Sequence, residues 1–231
     1  MTQRSILAGN NPTVIIKVGG SVTVKGHDSE MVVVETLDKW GLTLEKRSEA
    51  EIARARAAIG ERVLFDIRLK KPNFQKTGIP DDDAIVVQLG GSGEVLVPMA
   101  SDIKIYAGKN IEVQSVQGRV DAYSGLNLNL QNVYCLGNVS AGWTMNLDCQ
   151  TMIGDKVEFK AGSDLRFHVQ DLASFQVQVK DIGGYWEAKI GNGEKSVSLK
   201  CGGDVTLVTD QKVEPLPPNY VLGKIEKPVV S

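Results

Sequence analysis

The chain has 231 residues, of which 42% are hydrophobic and 23% charged, and its formal net charge at pH 7 is -2. This composition is ordinary for a soluble globular protein, and the balanced charge gives no electrostatic reason to expect a nucleic acid as partner. No apolar run reaches the roughly 18 residues that a membrane-spanning helix needs, and none of signal-peptide length opens the chain. We therefore expect no membrane span, while the compartment stays open between cell surface and cytoplasm.

The first hundred residues predict short strands around one helix. Residues 1–12 are expected to form a tail, and 13–100 an irregular β part. Ser48 and Glu51 match a capping box and Gly60 fits a C-terminal stop, so residues 48–60 predict an inserted α-helix. Period-2 alternation predicts strands around it, near residues 22–24, 31–33, 42–44, 63–69, 85–89 and 95–97.

A glycine-centred repeat fills residues 101–210. Six times a glycine stands three residues before an apolar position, with steps of 17 to 21 residues, at Gly108, Gly125, Gly142, Gly162, Gly183 and Gly202. A second alternating run precedes each glycine. Each unit therefore predicts two short strands that meet at a turn, where glycine reaches positive φ without a Cβ penalty.

Units of this length without a helix are typical of the coils of a β-solenoid, so the expected fold is an all-β parallel solenoid. An antiparallel sandwich also uses short strands and glycine turns, and it remains the alternative. Residues 211–231 carry four prolines and no period, which predicts an extended C-terminal tail.

The pattern resembles the DUF4097-like, or toastrack, group of bacterial adhesin domains. The residues that carry the likeness are Gly20–Gly26, Met31–Val34, Gly93–Pro98 and the glycine units up to about Val208. It is also similar, more distantly, to the bactofilins, cytoskeletal solenoids that polymerise end to end, although bactofilin cores are shorter and lack the 48–60 insertion. Both resemblances imply a right-handed parallel β-solenoid with a scaffold or interaction role, and neither supplies catalytic residues.

The sequence offers no catalytic, cofactor or metal motif. His27 and His168 stand apart, and the run Asp81–Asp83 predicts a solvated loop because consecutive carboxylates rarely face one cation. Cys135, Cys149 and Cys201 have no CxxC spacing and predict buried free thiols. We therefore expect a non-enzymatic protein without a cofactor.

Two functions follow as hypotheses. The first is a structural, self-associating protein that forms head-to-tail filaments or a surface scaffold, because the apolar strand at each end would offer an open edge. The residues expected at those edges are Val14, Ile15, Ile16, Val205 and Leu207. The alternative is a monomeric or dimeric, envelope-associated binding module for a glycan or a protein. Its expected stacking residues are Trp143, Tyr185 and Trp186.

Overall fold

The computed structural model describes residues 1–37, 41–47, 84–152, 156–169, 176–179, 185–190, 195–208 and 224–226. Throughout these ranges the regular secondary structure is β-strand, which confirms the all-β class. The helix expected over 48–60 lies outside them. Within the described ranges, no helix has the length and apolarity that crossing a bilayer requires.

The described strands follow one another with short connections. The first nine are β1 (Thr2–Leu7), β2 (Thr13–Val18), β3 (Val22–His27), β4 (Met31–Thr36), β5 (Thr43–Arg47), β6 (Ala84–Leu89), β7 (Gly93–Pro98), β8 (Asp102–Ala107) and β9 (Ile111–Gln114). The others are β10 (Arg119–Ser124), β11 (Leu128–Ala141), β12 (Met145–Met152), β13 (Lys156–Ala161), β14 (Leu165–Val169), β15 (Gln176–Val179), β16 (Tyr185–Ile190), β17 (Lys195–Cys201), β18 (Val205–Val208) and β19 (Lys224–Glu226).

Most strands pair in parallel, in two series. The first stack runs β6, β2, β8, β10, the end of β11, β13 and β17. The second stack runs β7, β3, β9, the start of β11, β12, β14, β18 and β19. In the second stack Ile111 pairs with Leu128 and Leu128 with Met145, so the 17-residue repeat of the sequence is the register of the sheet.

The sheet departs from a regular parallel solenoid in two respects. Its strands do not stack in chain order, because β6 lies outside β2 although it comes later in the sequence. Antiparallel strands also join it: β5 pairs with β6, β4 with β7, and β1 with β4. The order of the strands is therefore mixed, a feature that the local repeat did not predict.

The glycines of the repeat lie above one another. A Cβ atom on Gly108, Gly125, Gly142, Gly162 or Gly202 would overlap the backbone carbonyl oxygen of the preceding glycine in the column. Among the described residues, positive φ is confined to Gly9, Gly41, Ser115 and Asn132. The repeated glycines are thus required by close stacking of the turns, and the expected need for positive φ was the wrong reason.

The Gly183 unit does not add a layer to the stacks. Leu165 pairs directly with Val205, forty positions on, and a Cβ on Gly202 would meet the carbonyl of Gly162. The strands between them, β15 and β16, instead pair antiparallel outside β17. Five of the six predicted glycine units therefore form the column, and Gly19 and Gly90 extend it on the other side.

The inward side chains of both stacks form one hydrophobic core. Val14, Ile103 and Val120 line up across the first stack, and Val24, Val113 and Leu130 across the second. All six are fully buried. Further along the core, Phe159 and Phe167 come from the two stacks and contact each other with ring centroids 5.5 Å apart. Period-2 alternation places the remaining side chains of each strand outward, where the candidate sites lie.

Candidate functional site

The turns between the two stacks form an exposed corner. Leu126 N–H donates to the Lys109 carbonyl at 3.0 Å, Trp143 N–H to Leu126 at 2.9 Å, and Ser163 N–H to Trp143 at 2.8 Å. These bonds fix one turn residue above the next. We call Lys109, Leu126, Trp143 and Ser163 the turn column.

Two neighbouring apolar side chains of the turn column face solvent. Trp143 is 58% exposed and Leu126 44% exposed. Trp143, predicted as a stacking residue, is therefore held at a fixed corner with much of its indole accessible. An exposed aromatic on rigid backbone can bind a ligand with little loss of conformational entropy.

Hydrogen-bonding side chains flank the turn column. Asn127 Oδ1 accepts the hydroxyl of Thr144 at 2.7 Å and its N–H at 3.3 Å, and Asn110 Oδ1 accepts the N–H of Asn127 at 3.2 Å. Each carboxamide thus fixes the next turn through its oxygen. The corner combines an aromatic surface with amide and hydroxyl groups, the chemistry that recognises polar ring-shaped ligands such as sugars.

The other two predicted stacking residues lie elsewhere. Tyr185 and Trp186 belong to β16, where Trp186 pairs with Val179 on one side and Leu199 on the other. Trp143 stands in a turn, so Trp186 does not occupy the equivalent position two units later, as the repeat suggested. The structure does not bring Trp143 and Trp186 together in one turn.

The outer face of the first stack carries an aromatic pair that sequence reasoning missed. Tyr106 and Tyr123 are paired across β8 and β10, and their rings stack with centroids 5.1 Å apart and planes 11° from parallel. The ammonium of Lys104 lies 5.9 Å from the centre of the Tyr106 ring. Burial, and then the negative charge of Asp121, raise the pKa of the Tyr123 phenol well above its usual range.

Beside the tyrosines lies an ion pair that is almost completely buried. Arg119 Nη2 donates to Asp121 Oδ1 at 3.1 Å, and the same oxygen accepts the N–H of Asn138 at 2.7 Å. The Asp121 side chain is 5% exposed and that of Arg119 13%. A Cβ on Gly137 would overlap Asp121 Oδ1, so glycine makes room for the pair. This pair satisfies its own charges and stabilises the bend of β11.

The outer face of the second stack is polar. Asn146 Nδ2 donates to Asn129 Oδ1 at 2.9 Å, one strand to the next. His168 Nδ1 lies 2.9 Å from Asp148 Oδ1, and Gln114 Nε2 donates to Glu112 at 2.8 Å. The side chains on this face bond mainly to one another, which suits a solvated sheet surface.

The residues expected at open ends are placed inside the sheet. β2, with Val14, Ile15 and Ile16, has β6 on one side and β8 on the other, and these three side chains are buried. β18, with Val205 and Leu207, has β14 and β19 as neighbours. Neither strand is an edge, because antiparallel or C-terminal strands pair outside both stacks.

The described part of the chain contains no group of three or more His, Cys, Asp or Glu residues placed to hold a metal ion. Cys135, Cys149 and Cys201 are buried free thiols, as predicted. Burial raises the pKa of Cys149 and of Cys201 above the ordinary thiol value. They are packing residues in protonated form.

No protein-family model, curated protein or solved structure matches this chain.

Proposed function

We propose that the chain is a non-enzymatic β-solenoid binding module that holds an extended glycan at its side, with Trp143 as the stacking residue. The solenoid interpretation is supported by two stacks of parallel strands with a repeated register and a glycine column between them. In this interpretation, one coil is the strand pair on either side of each glycine turn.

The observation that carries the proposal is the exposure of Trp143 on an ordered column of turns. A solvent-exposed indole is costly to maintain without a use, and here Leu126 extends its apolar surface. Asn127 and Thr144 stand next to it and offer hydroxyl, amide and carbonyl groups for polar substituents of a sugar. A ring that stacks on Trp143 would thus also find hydrogen-bond partners.

Binding to immobilised glycans tests this proposal, with neutral and acidic oligosaccharides on one array. We expect Trp143→Ala to abolish binding while the variant keeps the far-ultraviolet spectrum of the parent. Tyr134→Ala is the matched control, because Tyr134 is a comparably exposed aromatic (49%) in the middle of β11, away from the turn column. Equal binding by the parent and Trp143→Ala would refute the role of Trp143.

Head-to-tail self-association is the second candidate. Its support is that β1 has one described partner strand, β4, and β15 has one, β16, so each offers an outer edge among the described strands. Electron microscopy across a concentration series tests this, with Leu7→Lys as the variant because Leu7 is exposed in β1. Filaments that disappear in Leu7→Lys would support assembly through β1, and uniform single particles at every concentration would oppose it.

A further inference from the structure

The outer face of the first stack aligns a column of lysine, tyrosine and serine residues. The register pairs Lys17 with Tyr106, Tyr106 with Tyr123, Tyr123 with Ser140, and Ser140 with Lys160. We call these five residues the tyrosine–lysine column. The next positions in the same register are Lys200 and then Tyr185. Seven successive positions thus contain three lysines and no carboxylate.

The two tyrosines leave one aromatic surface open to a neighbour. Their 5.1 Å separation is close to the spacing of about 4.8 Å between strands, so the ring planes stand across the axis of the stack. One face of Tyr123 is covered by Tyr106, and the other is directed to the next strand, where Ser140 is small. The column therefore has a slot one strand wide between the Tyr123 ring and the position of Lys160.

Positive charge lies on both sides of the slot. Lys160 is exposed on the strand after Ser140, while Lys17 is exposed on the strand before Tyr106. Four strand spacings separate the two lysines, which is roughly 19 Å. Carboxylates spaced along an extended polymer can meet both ammonium groups at once.

We propose that the tyrosine–lysine column binds an acidic polysaccharide, a uronate chain whose sugar ring packs on Tyr123 and whose carboxylates meet Lys160 and Lys17. The inference rests on the proposed function, because the turn with Trp143 begins three residues after Ser140, roughly 10 Å along the chain. A glycan at the corner continues onto this face. Single-stranded nucleic acid fits less well, because successive bases need successive open ring faces and the column offers one.

Calorimetry with two forms of one polymer tests the inference. The probes are a polygalacturonate fragment and the same fragment with its carboxylates methyl-esterified, measured at low and at high salt. We expect the acidic form to bind more tightly, and this preference to vanish at high salt. Lys17→Gln and Lys160→Gln should each weaken binding of the acidic form about fivefold, as an ion pair of about 1 kcal/mol predicts. Both should leave the esterified form unaffected.

Control variants make the result specific. Lys46→Gln removes an exposed lysine of β5, outside the column, and should change nothing. Ser140→Leu fills the slot on a partly exposed position and should weaken both forms, with the fold checked by its melting temperature. Polythymidylate is the competing polyanion.

The outcomes separate the two proposals. If both polymer forms bind equally and Trp143→Ala abolishes both, glycan binding stands and the acidic column is refuted. If the acidic form is preferred but the lysine substitutions do not matter, the column is likewise refuted. Tighter binding of polythymidylate than of polygalacturonate would overturn the choice of a glycan. If neither form binds the parent protein, both proposals fail together.

Discussion

Gly142 lies directly over Gly125, so that a methyl group on Gly142 would overlap the Gly125 carbonyl oxygen. Because the obstacle is backbone of the neighbouring turn, it cannot rotate away. We expect Gly142→Ala to lower the free energy of unfolding by about 2 kcal/mol, the cost of overpacking a closely packed site. Urea denaturation followed by circular dichroism measures the change.

Gly9→Ala provides a contrasting control for this prediction. Gly9 has φ +86°, and a Cβ atom added there would meet nothing within 4 Å, so only backbone strain of about 1 kcal/mol applies. The Gly142 substitution should therefore cost clearly more than the Gly9 substitution. Equal costs would mean that stacking of the turns is not what requires glycine at position 142.

The buried Arg119–Asp121 pair should be worth far more than a pair at the surface. Asp121→Ala leaves the Arg119 guanidinium and the Asn138 N–H without their acceptor, so we expect a loss of about 3 kcal/mol. The matched control is Glu94→Ala, which breaks the exposed Lys25–Glu94 pair of 2.8 Å and should cost less than about 1 kcal/mol. Urea denaturation of both variants decides, and similar losses would show that the Arg119–Asp121 pair is not effectively desolvated.

The buried thiol of Cys149 should make the protein less stable in alkali. Its pKa in the folded state is raised by burial above the ordinary value of 9.0. Up to about pH 9 the folded and unfolded states both hold the proton, and the stabilising contribution is fully present. Above that pH the unfolded state releases the proton first, so the free energy of unfolding falls as pH rises, by up to about 1.4 kcal/mol per pH unit for one group.

Urea denaturation between pH 7.5 and pH 10.5 measures this slope. Cys149→Ala creates a cavity and lowers stability at every pH, so the slope and not the absolute value is compared. We expect a shallower slope in the variant than in the parent. Identical slopes would show that other groups, such as the buried phenol of Tyr123, account for the alkaline loss.

The sequence repeat predicted much of the sheet because its information is local. A glycine, a short spacer and an alternating pair of apolar residues specify a turn and an inward-facing strand, and β9, β12 and β14 follow this pattern. The same spacing also held information that went unused. Tyr106 and Tyr123 are 17 positions apart, as are Asn110 and Asn127, so outward residues at the repeat distance could have indicated both ladders.

The order of the strands could not be predicted in the same way. Residues 84–89 look like any other alternating strand, and only the fit of Ile85 and Val87 over Val14 and Ile16 places β6 outside β2. Such pairing depends on contacts between distant segments and not on local periodicity. The Gly183 unit has the local pattern of a coil, yet its strands join β17 antiparallel, since a local pattern does not encode strand direction.

Removal of β1 should turn the protein into a self-associating species. All six residues of β4 pair with β1, so deletion of residues 1–7 uncovers the full length of a strand whose Val32 and Val34 belong to the core. An uncovered edge of this length is a template for another chain. We expect size-exclusion chromatography with light scattering to show a mass that rises with concentration for the truncated protein, while full-length Leu7→Lys keeps a constant mass. A truncated protein that stays folded and monomeric throughout the series would mean that β4 needs no cover, and the antiparallel strands would then have another purpose than closing the stack.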